Sequence, residues 1–184
     1  MFTHIDENGD ANMVDVSKKN DTLREAIAQG SIILNKEIIN AIIENRNKKG
    51  DVLSTSRLAG IQAAKRTSDL IPLAHNLNLT KIEIEFFIDA KENIINCKGL
   101  VRCFGKTGVE MEALTSVSIA LLTIYDMCKS FSKNLSISKI MLLKNQEFYP
   151  LSPQKYKLTY FLANIKKRKN KFISKMSLSG LLCY

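Results

Sequence analysis

KTGVEMEALTSVSIALLTIYDMCK, Lys106 to Lys129, is the stretch on which the reading of the chain turns. Leu114, Val117, Leu121, Ile124 and Cys128 recur at steps of three and four, which marks one apolar face of a buried helix. Thr107 stands three residues before Glu110, the spacing of a capping box that opens such a helix. Glu112, Asp126 and Lys129 are charges the apolar stripe does not need. Fourteen residues at about 100° each return Asp126 to within roughly 40° of the direction of Glu112, and Lys129 follows one turn later. The predicted helix therefore carries an acid and an amine together near its far end, and a second acid on the same side near its start.

On the N-terminal side of this helix, Ile82, Ile84, Phe86 and Ile88 alternate with Lys81, Glu83, Glu85 and Phe87, the period of a half-buried strand. Lys91 to Asn93 can turn the chain, and Ile95, Cys97, Gly99 and Val101 alternate again, so the pair reads as an antiparallel hairpin. Beyond the helix, Leu135 to Leu143 reads as a last strand. Nearer the N-terminus, Thr22 and Glu25 have capping-box spacing and predict a short helix closed by Gly30, followed by a short strand at Ser31 to Leu34. Ile38, Ile39, Ile42 and Ile43 share one face of a helix over Lys36 to Asn45, which NRNKKGD, Asn45 to Asp51, interrupts. Asp51 or Ser54 starts a further helix through Ala64 with Leu53, Leu58 and Ile61 inward. An apolar loop around Pro72 and His75 follows, LIPLAHNLNL, Leu70 to Leu79. The order strand, helices, strand, strand, helix, strand predicts an α+β fold, a ferredoxin-like antiparallel sheet with helices packed on one face.

With 184 residues, 45% hydrophobic and 24% charged, the chain can bury an ordinary single-domain core. Its formal charge of +9 belongs to one end. From Phe148 to Tyr184 there are eight basic residues and no acidic one, and without that segment 19 basic residues face 18 acidic ones. Cys97, Cys103, Cys128 and Cys183 show neither a CxxC pair nor the spacing of a zinc site, and the first three sit in apolar patterns where a small buried thiol is expected. The opening MFTHIDENGD lacks the charge pattern of a signal peptide, and no uninterrupted apolar run approaches the roughly 18 residues of a membrane span. A cytoplasmic protein is the expectation.

Each candidate site residue has an ordinary explanation when taken alone. His75 in an apolar loop fits a satisfied structural imidazole, Lys49 a solvated loop, Lys65 and Arg66 the negative end of a helix, and Glu110 a cap. Their sum points elsewhere. Arg24, Lys49, Lys65, Arg66 and Lys129 suit a polyphosphate, whereas His75, Glu110, Glu112 and Asp126 suit a polar heterocycle undergoing proton transfers.

GIQAAKRTSDLIPLAH, KTGVEMEALT and LTIYDMCK, with HIDENGDANMVDVS near the start and KKGDV in the middle, closely resemble the cyclic pyranopterin monophosphate synthase family of molybdenum cofactor biosynthesis. The resemblance runs from about His4 to about Leu143 in five ordered blocks. It implies a lyase with a small-molecule substrate, 3′,8-cyclo-7,8-dihydro-GTP, and the products cyclic pyranopterin monophosphate and pyrophosphate. It places the family's catalytic aspartate at Asp126 and its lysine at Lys129, and Lys49, on a position that lines the family pocket, is counted as catalytic with them. It places substrate contacts at Leu73, Ala74 and His75, at Met111 and Glu112, and pocket positions at Glu110 and Arg24; Lys65 and Arg66 are the cations we add for the triphosphate. The resemblance also implies no cofactor and no metal, a homohexamer built as a trimer of dimers with the site at a subunit interface, and no need for nucleic acid or membrane. Asp126 and Lys129 would shuttle protons, with His75 and Glu112 orienting the ring.

Two departures stand out. Where the family commonly reads cysteine, histidine, proline, this chain has Ala74, His75 and Asn76, which removes a thiol and a fixed φ. The family-like part reads as a domain over residues 1–147, and residues 148–184 as an extension combining KLTYFLANI with KKRKNKF. That extension reads either as a segment attracted to an anionic membrane or nucleic acid, or as sequence without a selected function produced by a shifted reading frame. A basic-tailed binding module with a degenerate site is the competing function, and it predicts affinity that falls steeply with salt.

Overall fold

Alternation of apolar and charged residues does build the hairpin: β2 (Leu79–Asp89) and β3 (Ile94–Gly105) pair antiparallel, with Ile84 opposite Gly99 and Phe86 opposite Cys97. The Asp89 carboxylate accepts the backbone N–H groups of Lys91 and Glu92, and Asn93 takes the left-handed φ of 57° that closes the turn. The computed structural model describes residues 9–148 other than Lys48 and Lys133. The expectations for residues 1–8 and 149–184, including the character of the basic extension and Cys183, lie outside the described residues.

The remaining elements are β1 (Thr22–Ile33), α1 (Lys36–Ile43), α2 (Val52–Lys65), α3 (Thr67–Leu70), α4 (Glu110–Cys128) and β4 (Ser136–Phe148). The four strands form one sheet in the order β2-β3-β1-β4, every neighbouring pair antiparallel. With helices between β1 and β2 and between β3 and β4, this is the α+β arrangement predicted. Among the helices, α4 packs on the sheet and α2 packs on both α4 and β2.

One element differs from expectation. Thr22 to Gly30 is not a helix but most of a twelve-residue central strand. Thr22 gives its hydroxyl to Glu147 on β4 at 2.9 Å, and Glu25 accepts from Arg102 on β3 and Lys144 on β4, so the two supposed capping residues bond across the sheet. Ladders on both sides of β1, to β3 and to β4, outweigh the local capping signal. The even-numbered residues Ala26, Ala28, Gly30 and Ile32 are buried under α4. They are small because α4 comes close: a Cβ at Gly30 would stand 2.7 Å from Leu121, and one at Gly99 on β3 would stand 2.7 Å from the Ser116 hydroxyl.

The face of α4 predicted to be apolar is buried, with Val117, Leu121, Ile124 and Cys128 at 0% exposure. Each large side chain buried this way contributes about 1.5–3 kcal/mol. By length and composition α4 could cross a bilayer, but half of its apolar window is buried inside the fold. Its start corrects a second expectation. Val109 precedes the first turn and no side chain caps it, so Thr107 and Glu110 do not form a capping box. The inward face of α2 is likewise made of Val52, Ser56, Gly60, Ala63 and Ala64, while Leu58 is 69% exposed. Asp51 does start this helix, accepting from the Ser54 N–H at 2.9 Å, as Asn35 starts α1 through Ile38.

Candidate functional site

At the C-terminal end of α4 the chain brings together three of the predicted residues. Lys129 lies 2.7 Å from one Asp126 carboxylate oxygen, and Lys49 lies 3.5 Å from the other while donating to the Asp126 carbonyl at 2.8 Å. Lys49 comes from the loop before α2. That loop is fixed by the buried Asn47, whose amide donates to the Met127 carbonyl at 3.4 Å and whose side-chain oxygen accepts the Lys49 N–H at 2.9 Å. Asn47 was not anticipated; its only sequence signal was a place in the polar break NRNKKGD. The hydrogen bond and charge of Lys129, and then the charge of Lys49, hold the Asp126 carboxyl below its ordinary value, and Asp126 raises Lys129 in return. Asp126 and Lys129 are more than half exposed, so in the single chain they rest as a solvated ion pair.

A second group surrounds a cavity of about 280 Å³ at the other end of α4. One wall is the loop after α3, with Leu73, Ala74, His75 and Leu77. This loop is tightened by the Ala74 N–H on the Ile71 carbonyl at 3.0 Å. A second wall is the start of α4 with Thr107, Gly108, Glu110, Met111 and Glu112, and the third is the N-terminal arm with Val14, Val16 and Lys19. Glu112 is 4% exposed, and burial pushes its carboxyl up to about 7, with the neighbouring Glu110 charge adding to the effect. Glu110 accepts from the Asn145 amide at 3.1 Å. His75 places Nε2 3.0 Å from the Val14 carbonyl oxygen. The arm residues, Leu77 and Asn145 were not among the predicted site residues; the signal for the arm was the family-like block HIDENGDANMVDVS.

The two groups do not meet within one chain. Glu112 and Asp126 share a helix, but fourteen residues at 1.5 Å each separate them by about 21 Å. Of the other predicted residues, Arg24 is absent from the cavity wall and is tied to Glu147 at 2.7 Å, with a longer contact of 3.4 Å to the Lys106 carbonyl. Lys65 and Arg66 are exposed where α2 ends. Because Lys49 meets Asp126 and Gly60 meets Ser116 and Ala120, α2 runs antiparallel to α4, which carries Lys65 and Arg66 toward the cavity end. Cys97, Cys103 and Cys128 are buried free thiols, as expected, and burial raises them to about 12, 11 and 11. Among the described residues, no group of three His, Cys, Asp or Glu side chains is placed to hold a metal ion.

Residues 13–147 match the model of the MoaC family. The chain is 52% identical over 143 residues to the cyclic pyranopterin monophosphate synthase of Heliobacterium modesticaldum, an alignment covering 78% of this chain and 90% of the relative. The proteins of the same name from Peptoclostridium acidaminophilum and Thermoanaerobacter sp. (strain X514) are 52% and 51% identical over the same extent.

Proposed function

The chain belongs to the MoaC family, and from that membership we propose that it is a lyase of molybdenum cofactor biosynthesis, converting 3′,8-cyclo-7,8-dihydro-GTP into cyclic pyranopterin monophosphate and pyrophosphate. The observation that carries this reading is the match over residues 13–147, which contains Asp126, Lys129, Lys49, His75, Glu110 and Glu112. The physics of the two groups fits the chemistry. A buried carboxyl near 7 on a cavity wall can hold or release a proton at neutral pH, which the rearrangement of a nitrogen heterocycle requires. A carboxylate held low between two ammonium groups is a base with cations beside it, suited to a triphosphate whose charge grows as pyrophosphate leaves. In this assignment Asp126, Lys129 and Lys49 are catalytic. Leu73, Ala74, His75, Met111, Glu112 and Glu110 bind the ring, and Arg24, Lys65 and Arg66 neutralise the phosphates.

The active form we propose is a cytoplasmic homohexamer, a trimer of dimers, in which the cavity end of one copy meets the Asp126 end of another. Three observations support it. The groups are about 21 Å apart in one chain, and the cavity of about 280 Å³ sits at the small end of ligand pockets, roughly 300–1,000 Å³. The third is that the sheet face away from the helices exposes Leu23, Phe104 and Phe148 as paired neighbours at one end of the sheet, apolar side chains of the kind subunits cover. The test of activity is pyrophosphate release from 3′,8-cyclo-7,8-dihydro-GTP by the full-length chain and by a form ending at Phe148. Both are expected to release it; a folded protein that releases none in either form contradicts the proposed function.

A further inference from the structure

The N-terminal arm forms part of the cavity without belonging to the sheet or the helices. Val14 and Val16 are half-buried while Asp15 and Ser17 are exposed, so the arm lies extended with one edge on the cavity. It is fastened at its Ser17 end. Lys106, just before α4, donates to the Ser17 carbonyl at 2.8 Å, and the Asp15 carboxylate accepts the N–H and hydroxyl of Ser17 at 2.8 and 3.0 Å, which holds the turn that follows. Immediately before these ties the Val14 carbonyl faces His75 Nε2 at 3.0 Å.

A carbonyl oxygen has only lone pairs to offer, so a ring nitrogen at hydrogen-bond distance from it must carry the proton. A neutral imidazole has one N–H, and His75 is therefore fixed with its proton on Nε2 and a bare lone pair on Nδ1. Among the described residues Nδ1 has no hydrogen-bond partner. We infer that the arm Met13–Ser17 is a positioning strap for the substrate pocket: its Val14 carbonyl sets the tautomer of His75, so that the ring meets the substrate as an acceptor for an N–H of the reduced heterocycle. This rests on the proposed function for the identity of the ligand, but not for the tautomer. Without the strap, either ring nitrogen can carry the proton, and encounters with the Nδ1–H form would set two donors against each other.

The full-length chain has two histidines, His4 and His75, so a His4→Gln background leaves one imidazole to observe. Long-range nitrogen–proton NMR of that protein without ligand, at about pH 8, above the ordinary imidazole range, is expected to show His75 as a single Nε2–H tautomer. The comparison is the double variant Asp15→Ala/Lys106→Met, which loosens both ties of the strap and leaves His75 and the apolar wall untouched. It is expected to show a mixture of tautomers and a KM raised about tenfold, the loss of roughly one hydrogen bond, with kcat changed less because ground-state and transition-state binding fall together. An Nδ1–H tautomer in the full-length protein overturns the inference. So does a double variant in which either the tautomer or KM fails to move. A protein without turnover that still shows the Nε2–H tautomer, lost in the double variant, would count against the proposed substrate while supporting the strap.

Discussion

Glu112 and Asp126 are carboxylates of one helix in opposite surroundings. Glu112 is enclosed, and desolvation pushes it up to about 7; Asp126 is exposed, and Lys129 with Lys49 holds it down. Environments that push two acids apart distinguish a proton holder from a standing base. The buried acid also leaves a mark on stability. Below its ordinary 4.5 Glu112 is protonated both folded and unfolded, whereas between 4.5 and about 7 the folded chain keeps a proton that the unfolded chain has released. Stability from this group is therefore lost as pH rises through that window. Chemical denaturation of the parent and of Glu112→Gln should show similar stability at pH 4 and the variant ahead at pH 8, by up to about 3 kcal/mol. A parent that gains on the variant as pH rises would show that Glu112 is ionised and paired. At Asp126 the expectation is the reverse in kind. Asp126→Asn and Lys129→Ala should each cut turnover at least about 100-fold while leaving the melting temperature close to that of the parent, because both side chains are exposed and their pair is solvated.

Between elements, the closest approach is made by glycine. A Cβ at Gly60 on α2 would stand 2.7 Å from the Ser116 carbonyl and 3.1 Å from the Ala120 methyl group on α4, and would also press on the Ile84 side chain of β2. Helix propensity alone would favour alanine there by about 1 kcal/mol, so a net loss of about 1–2 kcal/mol in Gly60→Ala, measured by denaturation, reports the crossing itself. The same crowding explains what the sequence concealed. Large apolar residues at helical or strand spacing predicted α4, β2 and β3 correctly, since their burial follows from size and period. Where α4 lies close to its neighbours, the buried positions are small: Ala26, Ala28 and Gly30 on β1, and Ser56, Gly60, Ala63 and Ala64 on α2. Those positions carry little hydrophobic signal, so β1 read as a capped helix and Leu58 as an inward residue. The site was legible in part for a related reason. Periodicity and helix rise put Glu112 and Asp126 on the same side of α4 and at opposite ends of it but did not show which residues surround each, and the role of Asn47 depends on a contact 80 residues away in the chain.

At the scale of the whole molecule, a sheet covered on one face by helices leaves Leu23, Phe87, Phe104 and Phe148 on the other, and the Asp126–Lys129 ion pair sits in water. Both features suit the proposed assembly with another copy. Phe104→Lys puts a charge among the apolar neighbours Leu23 and Phe148 at one end of that face, and light scattering should show the assembly reduced in mass and turnover reduced with it. A variant that keeps the parent mass would remove this face from the interface. The proposed assembly from two ends of α4 also has a combinatorial consequence, and it gives the most direct test of the account: pyrophosphate release by protein unfolded and refolded together from equal parts of Asp126→Asn and Glu112→Gln, each expected to be nearly inactive alone. If a site takes its cavity from one copy and its ion pair from another, random mixing makes about a quarter of the sites intact, and the mixture should recover about that share of the parent activity. A mixture no more active than its two components would mean that each chain supplies both groups to its own site, and would contradict the shared site on which this account rests.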